Sequence, residues 1–263
     1  MAQAKHRSTQ RVIDILELLT SGKEQGQTLT EIADTIKAPK SSILPILHTL
    51  LDSKLLSLDK NSGKYAIGIG AFVIGSTFLS NQHLYQHIKE IMENVVLNCK
   101  ETCQLGILDR HQVLYIAKVD SSESIRLISR VGMRLPLHCT SLGKALMLDL
   151  GEDEIRQLLD MAKMMPFTAN TITQPDLLIK QLKMFKADDM TLERAERDPE
   201  VCCYAIPIRN KNRIIAALSI SIPAFRCNEE KINLVVKELK VAQSAIEKIM
   251  QDTSLVLDAH YFA

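Results

Sequence analysis

Apolar residues recur at helical spacing in two short runs near the start of the chain, between residues 28 and 51. The first run predicts a helix that begins at about Thr28, because Thr28 and Glu31 form a capping-box pattern. Its inward face is predicted to carry residues at positions i, i+3, i+4 and i+7: Leu29, Ile32, Ala33 and Ile36. An apolar stripe of this kind must pack against another element.

The second run follows a polar turn at residues 37–40 and predicts a second helix. Two short amphipathic helices joined by a tight polar turn are typical of a DNA-reading helix pair. The inward face of the second helix is predicted to carry Ile43, Leu47, Leu50 and Leu51. Its outward face keeps the residues that a DNA groove would meet, namely Lys40, Ser41, Ser42 and His48.

An upstream helix and a downstream hairpin complete this N-terminal pattern. The segments 55–59 and 64–68 bracket the polar residues 60–63, which predicts a β-hairpin. Helical spacing upstream predicts a further helix with inward residues Val12, Ile15, Leu16 and Leu19. Three helices and a hairpin form a winged helix-turn-helix, in which the second helix of the pair would lie in the major groove.

Basic residues around this motif predict contacts with the DNA backbone. Lys60 and Lys64 on the wing would approach phosphates, and Arg7 and Arg11 would belong to a basic N-terminal arm. Residues 1–80 hold nine Lys/Arg against seven Asp/Glu, and the whole chain carries a net charge of +1. Affinity for DNA depends on the few cations placed at phosphates, so this balance does not exclude DNA binding. On spacing alone, a compact helical domain or a protein interface is the alternative.

The rest of the chain shows helical and strand patterns in turn, which indicates an α+β domain. A helix over residues 81–99 is predicted to join the two halves of the chain. A closing helix from Asn228 to Met250, capped by Asn228, is predicted to lie across the sheet. Five segments predict strands: 103–109, 112–119, 124–131, 202–209 and 213–222.

The last of these strands predicts a small-molecule pocket. The period-two rule places Ala217, Ser219 and Ser221 on one face, and Ile214, Ala216, Leu218, Ile220 and Ile222 on the other. Two hydroxyls therefore point the same way, and Cys203 and Ala205 on the preceding strand are also small. A sheet face with small, weakly polar side chains leaves room for a ligand. The alternative is that both serines lie on a solvated face.

The composition of the chain and its cysteine and histidine spacing predict the cellular compartment and whether a metal or cofactor is bound. The chain of 263 residues is 46% hydrophobic, which is enough to bury two modest cores. No apolar run approaches membrane-spanning length and the N-terminus lacks the apolar core of a signal peptide, so we expect a cytoplasmic protein. The six cysteines show no metal-binding spacing and are expected to be buried free thiols. His83 and His87 lie four residues apart but lack a third ligand, so we expect no metal and no cofactor.

Longer motifs resemble a known family. The helix-turn-helix and the joining helix are followed by VGMRLPLHCTSLGKALM and later by CCYAIPIRNKNRIIAALSISI. This order resembles the IclR family of bacterial transcription regulators along nearly the whole chain. The most specific parts are G-x-x-x-P-L-H-x-T-x-x-G-K-A-L at residues 132–146 and C-x-A-x-P-I at residues 203–208.

The resemblance implies an organisation and a function. It implies a winged helix-turn-helix over residues 1–78, a linker helix over 79–98 and a GAF-like α/β effector-binding domain over 99–263. It also implies a homodimer or dimer of dimers that binds double-stranded operator DNA, and a regulator, by family habit a repressor, of a metabolic operon. A small organic or sugar acid would control it, since residues 105–121 and 127–146 look like the sugar-acid-responsive branch.

Matching positions of the family imply the effector-binding residues Leu127, Ser141, Leu142, Glu193, Cys203, Ser219 and Ser221. Hydroxyls and backbone N–H groups at the helix start over residues 141–143 would donate hydrogen bonds to a carboxylate.

Two residues depart from the family pattern. Pro45 lies in the DNA-reading helix, which we expect to start late, near Ser41, because proline lacks a backbone donor. Glu200 replaces a glycine, so the loop beside the pocket is expected to have a different shape.

Two other classes of protein are weighed against the regulator. Ser141 and Lys144 form the S-x-x-K arrangement of some serine acyl hydrolases, but the partner motifs of those enzymes are missing. Cys203 and His138 would form a nucleophile and base only if the fold brought them together. The third class is a metabolite sensor that does not bind DNA, which Pro45 in the reading helix makes conceivable.

Overall fold

The computed structural model describes residues 6–21, 26–80 and 83–252. The chain forms two compact units, the first ending at His83 and the second beginning at Leu84. No helix in the described ranges is both long and apolar enough to cross a lipid bilayer.

The first unit contains the predicted three helices and hairpin, followed by one further helix. Its elements are α1 (Arg7–Ser21), β1 (Gln27–Thr28), α2 (Leu29–Ile36), α3 (Lys40–Asp52), β2 (Leu56–Asp59), β3 (Lys64–Ile67) and α4 (Ile69–Ser80). The strands form an antiparallel sheet in the order β1-β3-β2, with Leu56 opposite Ile67. The buried core joins all three predicted helices to β3 and includes Ile15, Ile32, Ile43, Leu47 and Tyr65. The predicted winged helix-turn-helix is therefore confirmed.

Thr28 caps α2 as the sequence predicts. The N–H of Thr28 donates to Glu31 Oε2 at 2.8 Å, and the N–H of Glu31 donates to Thr28 Oγ1 at 3.3 Å. At the other end of α2, Lys37 adopts the left-handed conformation (φ 56°) and the N–H of Ala38 bonds to the carbonyl of Ala33 at 3.0 Å. The cap at Lys37 ends α2 in a short turn, after which α3 begins.

The predicted basic N-terminal arm does not include Arg7 and Arg11, which lie on α1. His6 sits at the start of this helix, where its carbonyl accepts the N–H of Gln10 at 2.9 Å. The helical spacing that the sequence shows from Val12 onward therefore continues one turn upstream. The two arginines are four residues apart and share one helix face. The earlier part of the predicted arm, residues 1–5, lies outside the described residues.

Helix α3 begins at Lys40, within one residue of the expected start near Ser41, and contains Pro45 as its sixth residue. Proline has no N–H to donate to the carbonyl of Ser41, four residues earlier. Both residues are exposed, so water can bond to that carbonyl. The helix tolerates Pro45 because the lost hydrogen bond lies on its solvent side.

The second unit is an α/β domain around one six-stranded antiparallel sheet. Its elements are α5 (His83–Cys99), β4 (Thr102–Asp109), β5 (Gln112–Val119), β6 (Arg134–Pro136), α6 (Ser141–Leu146), α7 (Glu152–Ala162), α8 (Pro175–Asp188), β7 (Thr191–Arg194), β8 (Val201–Asn210), β9 (Arg213–Pro223) and α9 (Glu229–Asp252). The strand order is β6-β5-β4-β9-β8-β7. The predicted α+β fold class is confirmed.

The sheet has a separate core on each face. One core packs α5 and α9 against the sheet, and the other packs α6, α7 and α8 against it. The predicted cap of the closing helix is confirmed, since Asn228 Oδ1 accepts the N–H of Lys231 at 2.8 Å. The residues Val235, Leu239 and Ile246 of α9 are buried in the core that covers one face of the sheet.

The predicted strand at residues 124–131 is wrong, since these residues form a loop. Gly132 (φ 85°) donates its N–H to the carbonyl of Tyr115 at 2.8 Å, and the chain before it leaves the sheet. Side chains replace ladder bonds there: Lys118 Nζ donates to the Ser129 carbonyl at 2.5 Å and Arg226 donates to the Ile125 carbonyl at 2.9 Å. The apolar residues that imitate a strand are largely exposed, with 91% of Ile128 accessible.

A bulge in β9 corrects one position of the predicted strand faces. Ile208 pairs with Ala216 but Arg209 pairs with Ile214, so Ile215 is an extra residue in this ladder. The alternation reverses at that point, and Ile214 packs with the core that contains Ala217. The predicted faces hold from Ala216 onward and fail at Ile214.

Candidate functional site

A cavity of about 130 Å³ lies on the face of the sheet that α6 covers. Strands β5, β7, β8 and β9, the start of α6 and the loop 124–131 enclose it. Its lining residues are Tyr115, Leu127, Ile128, Ser129, Met133, Leu135, Thr140, Ser141, Leu142, Glu193, Arg197, Asp198, Val201, Cys203 and Ser219. The lining combines apolar walls with hydroxyl, carboxyl and guanidinium groups, as ligand pockets do.

Six of the seven residues predicted to bind an effector line this cavity: Leu127, Ser141, Leu142, Glu193, Cys203 and Ser219. The seventh, Ser221, is buried next to it and accepts a hydrogen bond from Cys203 Sγ at 3.2 Å. Ser219 is also buried, so the alternative that both serines lie on a solvated face is wrong. The structure therefore brings the predicted residues together around one space.

Gln104, which the sequence analysis missed, connects these groups. Its Oε1 accepts hydrogen bonds from Ser219 Oγ and Ser221 Oγ, both at 3.2 Å. Its Nε2 donates to Ser129 Oγ on the loop 124–131 at 3.5 Å. A buried glutamine in the middle of an apolar strand was the available signal, because a buried amide needs partners.

Glu193 on β7 presents a buried carboxyl group to the cavity. Its Oε2 accepts the N–H of Glu196 at 2.9 Å, and the Cys203 thiol is a second hydrogen-bond neighbour. Burial raises the pKa of Glu193 to about 7 despite these donors. Burial and the adjacent carboxyl group also raise the pKa of Cys203 well above its usual range. Cys203 is thus a neutral thiol and a poor nucleophile.

Arg197 is the second residue that the sequence analysis missed. It lines the cavity four residues after Glu193, and its Cζ lies 4.4 Å from the centre of the Phe167 ring. Its Nε is buried and has no hydrogen-bond partner among the described residues. The charged run around it resembles a solvated loop, so nothing in the sequence marked it.

The two catalytic arrangements considered from sequence are not assembled. Lys144 Nζ donates to Glu196 Oε1 at 2.5 Å and to the Leu192 carbonyl at 3.2 Å. No hydrogen bond joins it to Ser141 among the described residues. His138 Nε2 bonds to the Met165 carbonyl at 3.0 Å, and burial lowers the pKa of His138. No hydrogen bond joins His138 to Cys203 among the described residues, and the neighbours of the Cys203 thiol are instead Ser221 and Glu193.

The predicted DNA-contacting residues of the first unit lie on three elements. On α3, Lys40, Ser41 and His48 are exposed, while Ser42 is half-buried and donates to the Pro39 carbonyl at 2.8 Å. On the wing, Lys60 is exposed in the turn and Lys64 is half-buried at the start of β3; Arg7 is exposed and Arg11 half-buried on α1. Asp59 orders the wing turn by accepting the N–H of Asn61 at 3.0 Å.

The described residues hold no group of three or more His, Cys, Asp or Glu side chains placed to bind a metal ion. All six cysteines are free thiols.

Comparison with known proteins adds independent information. The IclR helix-turn-helix domain model matches residues 8–60, and the bacterial transcriptional regulator IclR C-terminal model matches residues 76–248. The HTH-type transcriptional regulator KdgR of Escherichia coli K12 is 30% identical over 244 residues, which cover 92% of each chain.

Two solved structures share the fold. An IclR transcriptional regulator from Alicyclobacillus acidocaldarius superposes with a TM-score of 0.86 at 23% identity, covering 94% of this chain and 100% of that one. An IclR homologue from Microbacterium hydrocarbonoxydans, complexed with 4-hydroxybenzoate, gives a TM-score of 0.79 at 24% identity, with the same coverage. The two domain models, the relative and the fold agree, and the chain belongs to the IclR family of bacterial transcriptional regulators.

Proposed function

We propose that this protein represses a metabolic operon by binding its operator as a homodimer, and that a small organic or sugar acid in the cavity controls the binding. The observation that carries the proposal is the exposed polar face of α3, in a chain whose first unit matches the IclR helix-turn-helix. A regulator of bacterial DNA works in the cytoplasm, which is the compartment we propose.

The proposed DNA surface combines α3, the wing and α1. Lys40, Ser41 and His48 would face base edges and phosphates in the major groove, while Lys60 and Lys64 would approach the adjacent backbone. Pro45 lies one helical turn from Ser41 and from His48, so it adds an apolar side chain to the same outward face of α3. An apolar group there favours contact with a thymine methyl.

We expect the double substitution Lys40→Glu with Ser42→Asp to weaken binding to the DNA upstream of the protein's own gene. Each copy loses a cation and gains two anions beside phosphates, so affinity should fall at least about 30-fold and the salt dependence should become shallower. Fluorescence anisotropy across a salt series measures both quantities. The control, Lys180→Glu with Ser244→Asp, places the same charge change on exposed residues of the second unit. Equal affinity of the α3 variant and the wild type would refute the proposed reading helix.

Helix α4 supports the proposed dimer. It is apolar on all sides, and Ile69, Phe72, Val73 and Ile74 are more than half exposed in the single chain. Contiguous exposed apolar residues on a helix mark an interaction surface. A second copy covering them would give the protein two DNA-reading heads, as a two-fold operator requires.

We expect Phe72→Asp to convert the dimer to a monomer, because a carboxylate would be buried without a partner in the interface. Molar mass measured by light scattering after size exclusion checks this. Phe225→Asp is the matched control, since Phe72 and Phe225 are both 69% exposed and Phe225 lies on the second unit. An unchanged mass for Phe72→Asp would place the interface elsewhere.

The cavity supports the proposed effector site. The homologue from Microbacterium hydrocarbonoxydans holds 4-hydroxybenzoate, a small carboxylate, and we propose the same class of ligand here. An effector acts only through different affinities for two arrangements of the protein. We propose that the linker helix, residues 79–98, sets the spacing between the heads (1–78) in response to ligand bound in the effector domain (99–263).

We propose no enzymatic activity for this chain. Lys144 is occupied by Glu196, so it does not activate Ser141, and Cys203 is held as a neutral thiol. No observation favours a metabolite sensor that leaves DNA unbound over the regulator.

A further inference from the structure

Arg197 is the only lysine or arginine among the described residues that line the cavity. We infer that its guanidinium binds the carboxylate of the effector, and that the effector carries a single carboxylate with hydroxyl groups away from it. The inference deepens the proposed function, on which it rests. The sequence analysis expected the carboxylate to bind at the start of α6, and the inference assigns that role to the side chain of Arg197 instead.

The surroundings of Arg197 prepare it for an anion. The Phe167 ring packs against its guanidinium, which fixes the plane of the group and leaves its edge for hydrogen bonds. Its Nε is buried without a partner, and no carboxylate lies within ion-pair distance of Arg197 among the described residues. A buried guanidinium donor without an acceptor is costly, and a ligand carboxylate would satisfy it.

The start of α6 is a weaker anchor than Arg197. The helix has six residues, and Thr140 Oγ1 already accepts the N–H of Gly143 at 3.1 Å. The remaining donors there are neutral. A guanidinium adds a full positive charge and two parallel N–H donors that match a carboxylate, which neutral N–H groups lack, so it is the stronger anchor.

The other lysines near the cavity are already paired. Lys144 Nζ is fully buried and held by Glu196. Lys118 Nζ lies 2.7 Å from Asp120 Oδ1 and also donates to the Ser129 carbonyl. Neither is free to neutralise a second carboxylate of the ligand.

The acidic side chains of the cavity restrict the rest of the ligand. Glu193 and Asp198 both line it, so a second ligand carboxylate would meet like charge with no cation to offset it. Glu193 Oε1 and Ser219 Oγ would instead bond to ligand hydroxyls, which both donate and accept. The arrangement therefore selects hydroxy monocarboxylates over dicarboxylates and over uncharged amides.

The test compares matched ligands on the full-length chain. Melting temperature and calorimetric affinity are measured with 4-hydroxybenzoate and D-gluconate, with the two corresponding amides, and with the matched dicarboxylates terephthalate and D-glucarate. We expect at least one acid to stabilise the wild type, and its amide and dicarboxylate partners to do so far less. Arg197→Gln should weaken binding of that acid about 30-fold, with partial recovery in Arg197→Lys. Arg194→Gln, on the exposed side of β7, should bind it like the wild type.

Four results would overturn the inference: equal binding of acid and amide, equal or better binding of the dicarboxylate, full binding by Arg197→Gln, or no effect of any carboxylate on the wild type at high millimolar concentration. The same samples are tested for binding of the upstream DNA. A wild type that binds acid through Arg197 but never binds DNA would refute the regulator and leave this inference standing. If the acid still releases DNA from the Arg197→Gln variant, the regulator stands and the inference about Arg197 is refuted.

Discussion

Lys144→Met is expected to destabilise the second unit by about 3–5 kcal/mol, the usual cost of removing one partner of a buried ion pair. The side chains of Lys144 and Glu196 are 0% and 6% exposed. Methionine keeps the packing volume of lysine but leaves Glu196 Oε1 without its cation. Glu196 Oε2 already lacks a partner, so the buried carboxyl group would keep only the backbone N–H of Arg194 as a neighbour.

The loss should depend on pH, because Glu196 can take up a proton in the variant. Burial already raises the pKa of Glu196, and removal of Lys144 raises it further. A carboxyl whose pKa is higher in the folded state favours folding at low pH, so the destabilisation should be smaller at pH 5 than at pH 8. Urea denaturation at the two pH values measures the difference.

Two further variants separate the ion pair from general disruption of the core. The double variant Lys144→Met with Glu196→Met should recover most of the loss, since no buried charge remains. Lys183→Met removes an exposed pair in which the side chains of Lys183 and Glu152 are 65% and 50% accessible, and should cost far less than Lys144→Met because solvent screens the pair. A loss for Lys144→Met no larger than that for Lys183→Met would contradict this account.

The ion pair also positions the proposed effector site. Glu196 precedes Arg197, and its carbonyl accepts Thr171 Oγ1 at 2.7 Å. Lys144 follows the start of α6 within the same motif that provides Ser141 and Leu142. The lysine of the G-K-A-L sequence therefore ties α6 to the loop that carries Arg197, which gives it a structural role in a binding motif.

Local signals were sufficient to predict the first unit. The capping box at Thr28, the spacing of apolar residues in α2 and α3 and the polar turn of the hairpin each act within a few residues. Errors arose where the neighbouring chain decided the outcome. Arg7 and Arg11 lie on α1 because this helix extends one turn further upstream than the apolar spacing shows.

The cavity was only partly predictable. The period-two rule placed Ser219 and Ser221 correctly because the bulge at Ile215 lies upstream of them. The loop 124–131 has the alternation of a strand, but Gly132 turns it away from the sheet and side chains hold it. Arg197 comes to the cavity through its packing on Phe167, thirty residues earlier in the chain, a contact that no local pattern records.

Glu193→Gln is expected to stabilise the ligand-free protein by about 3 kcal/mol at pH 8 and to change its stability little at pH 4.5. Burial raises the pKa of Glu193 from 4.5 to about 7, and a rise of that size corresponds to about 3 kcal/mol. The unfolded chain releases this proton at lower pH than the folded chain does. The contribution of Glu193 to stability is therefore greatest below pH 4.5, falls as the pH rises to about 7, and then levels off.

Glutamine removes this pH dependence while keeping the shape of the side chain. Its carbonyl can still accept the N–H of Glu196, and no charge is left to desolvate. Urea denaturation from pH 4.5 to 8, expressed as the difference between variant and wild type, cancels the titration of groups common to both. Glu200→Gln, exposed on the loop after Asp198, should give a flat difference. A flat difference for Glu193→Gln as well would mean that the wild-type carboxyl ionises normally.

The same substitution should weaken binding of a hydroxy acid, because an ionised Glu193 accepts ligand hydroxyls more strongly than an amide does. The buried carboxylate of Glu193 lowers stability at neutral pH in the ligand-free protein. Its role in binding explains why it is kept, because hydrogen bonds from ligand hydroxyls would compensate for the water that the carboxylate has lost. Stability without ligand and affinity for ligand should therefore change in opposite directions in Glu193→Gln. A variant that is more stable and binds the acid as tightly as the wild type would separate Glu193 from recognition and leave Arg197 as the main polar anchor.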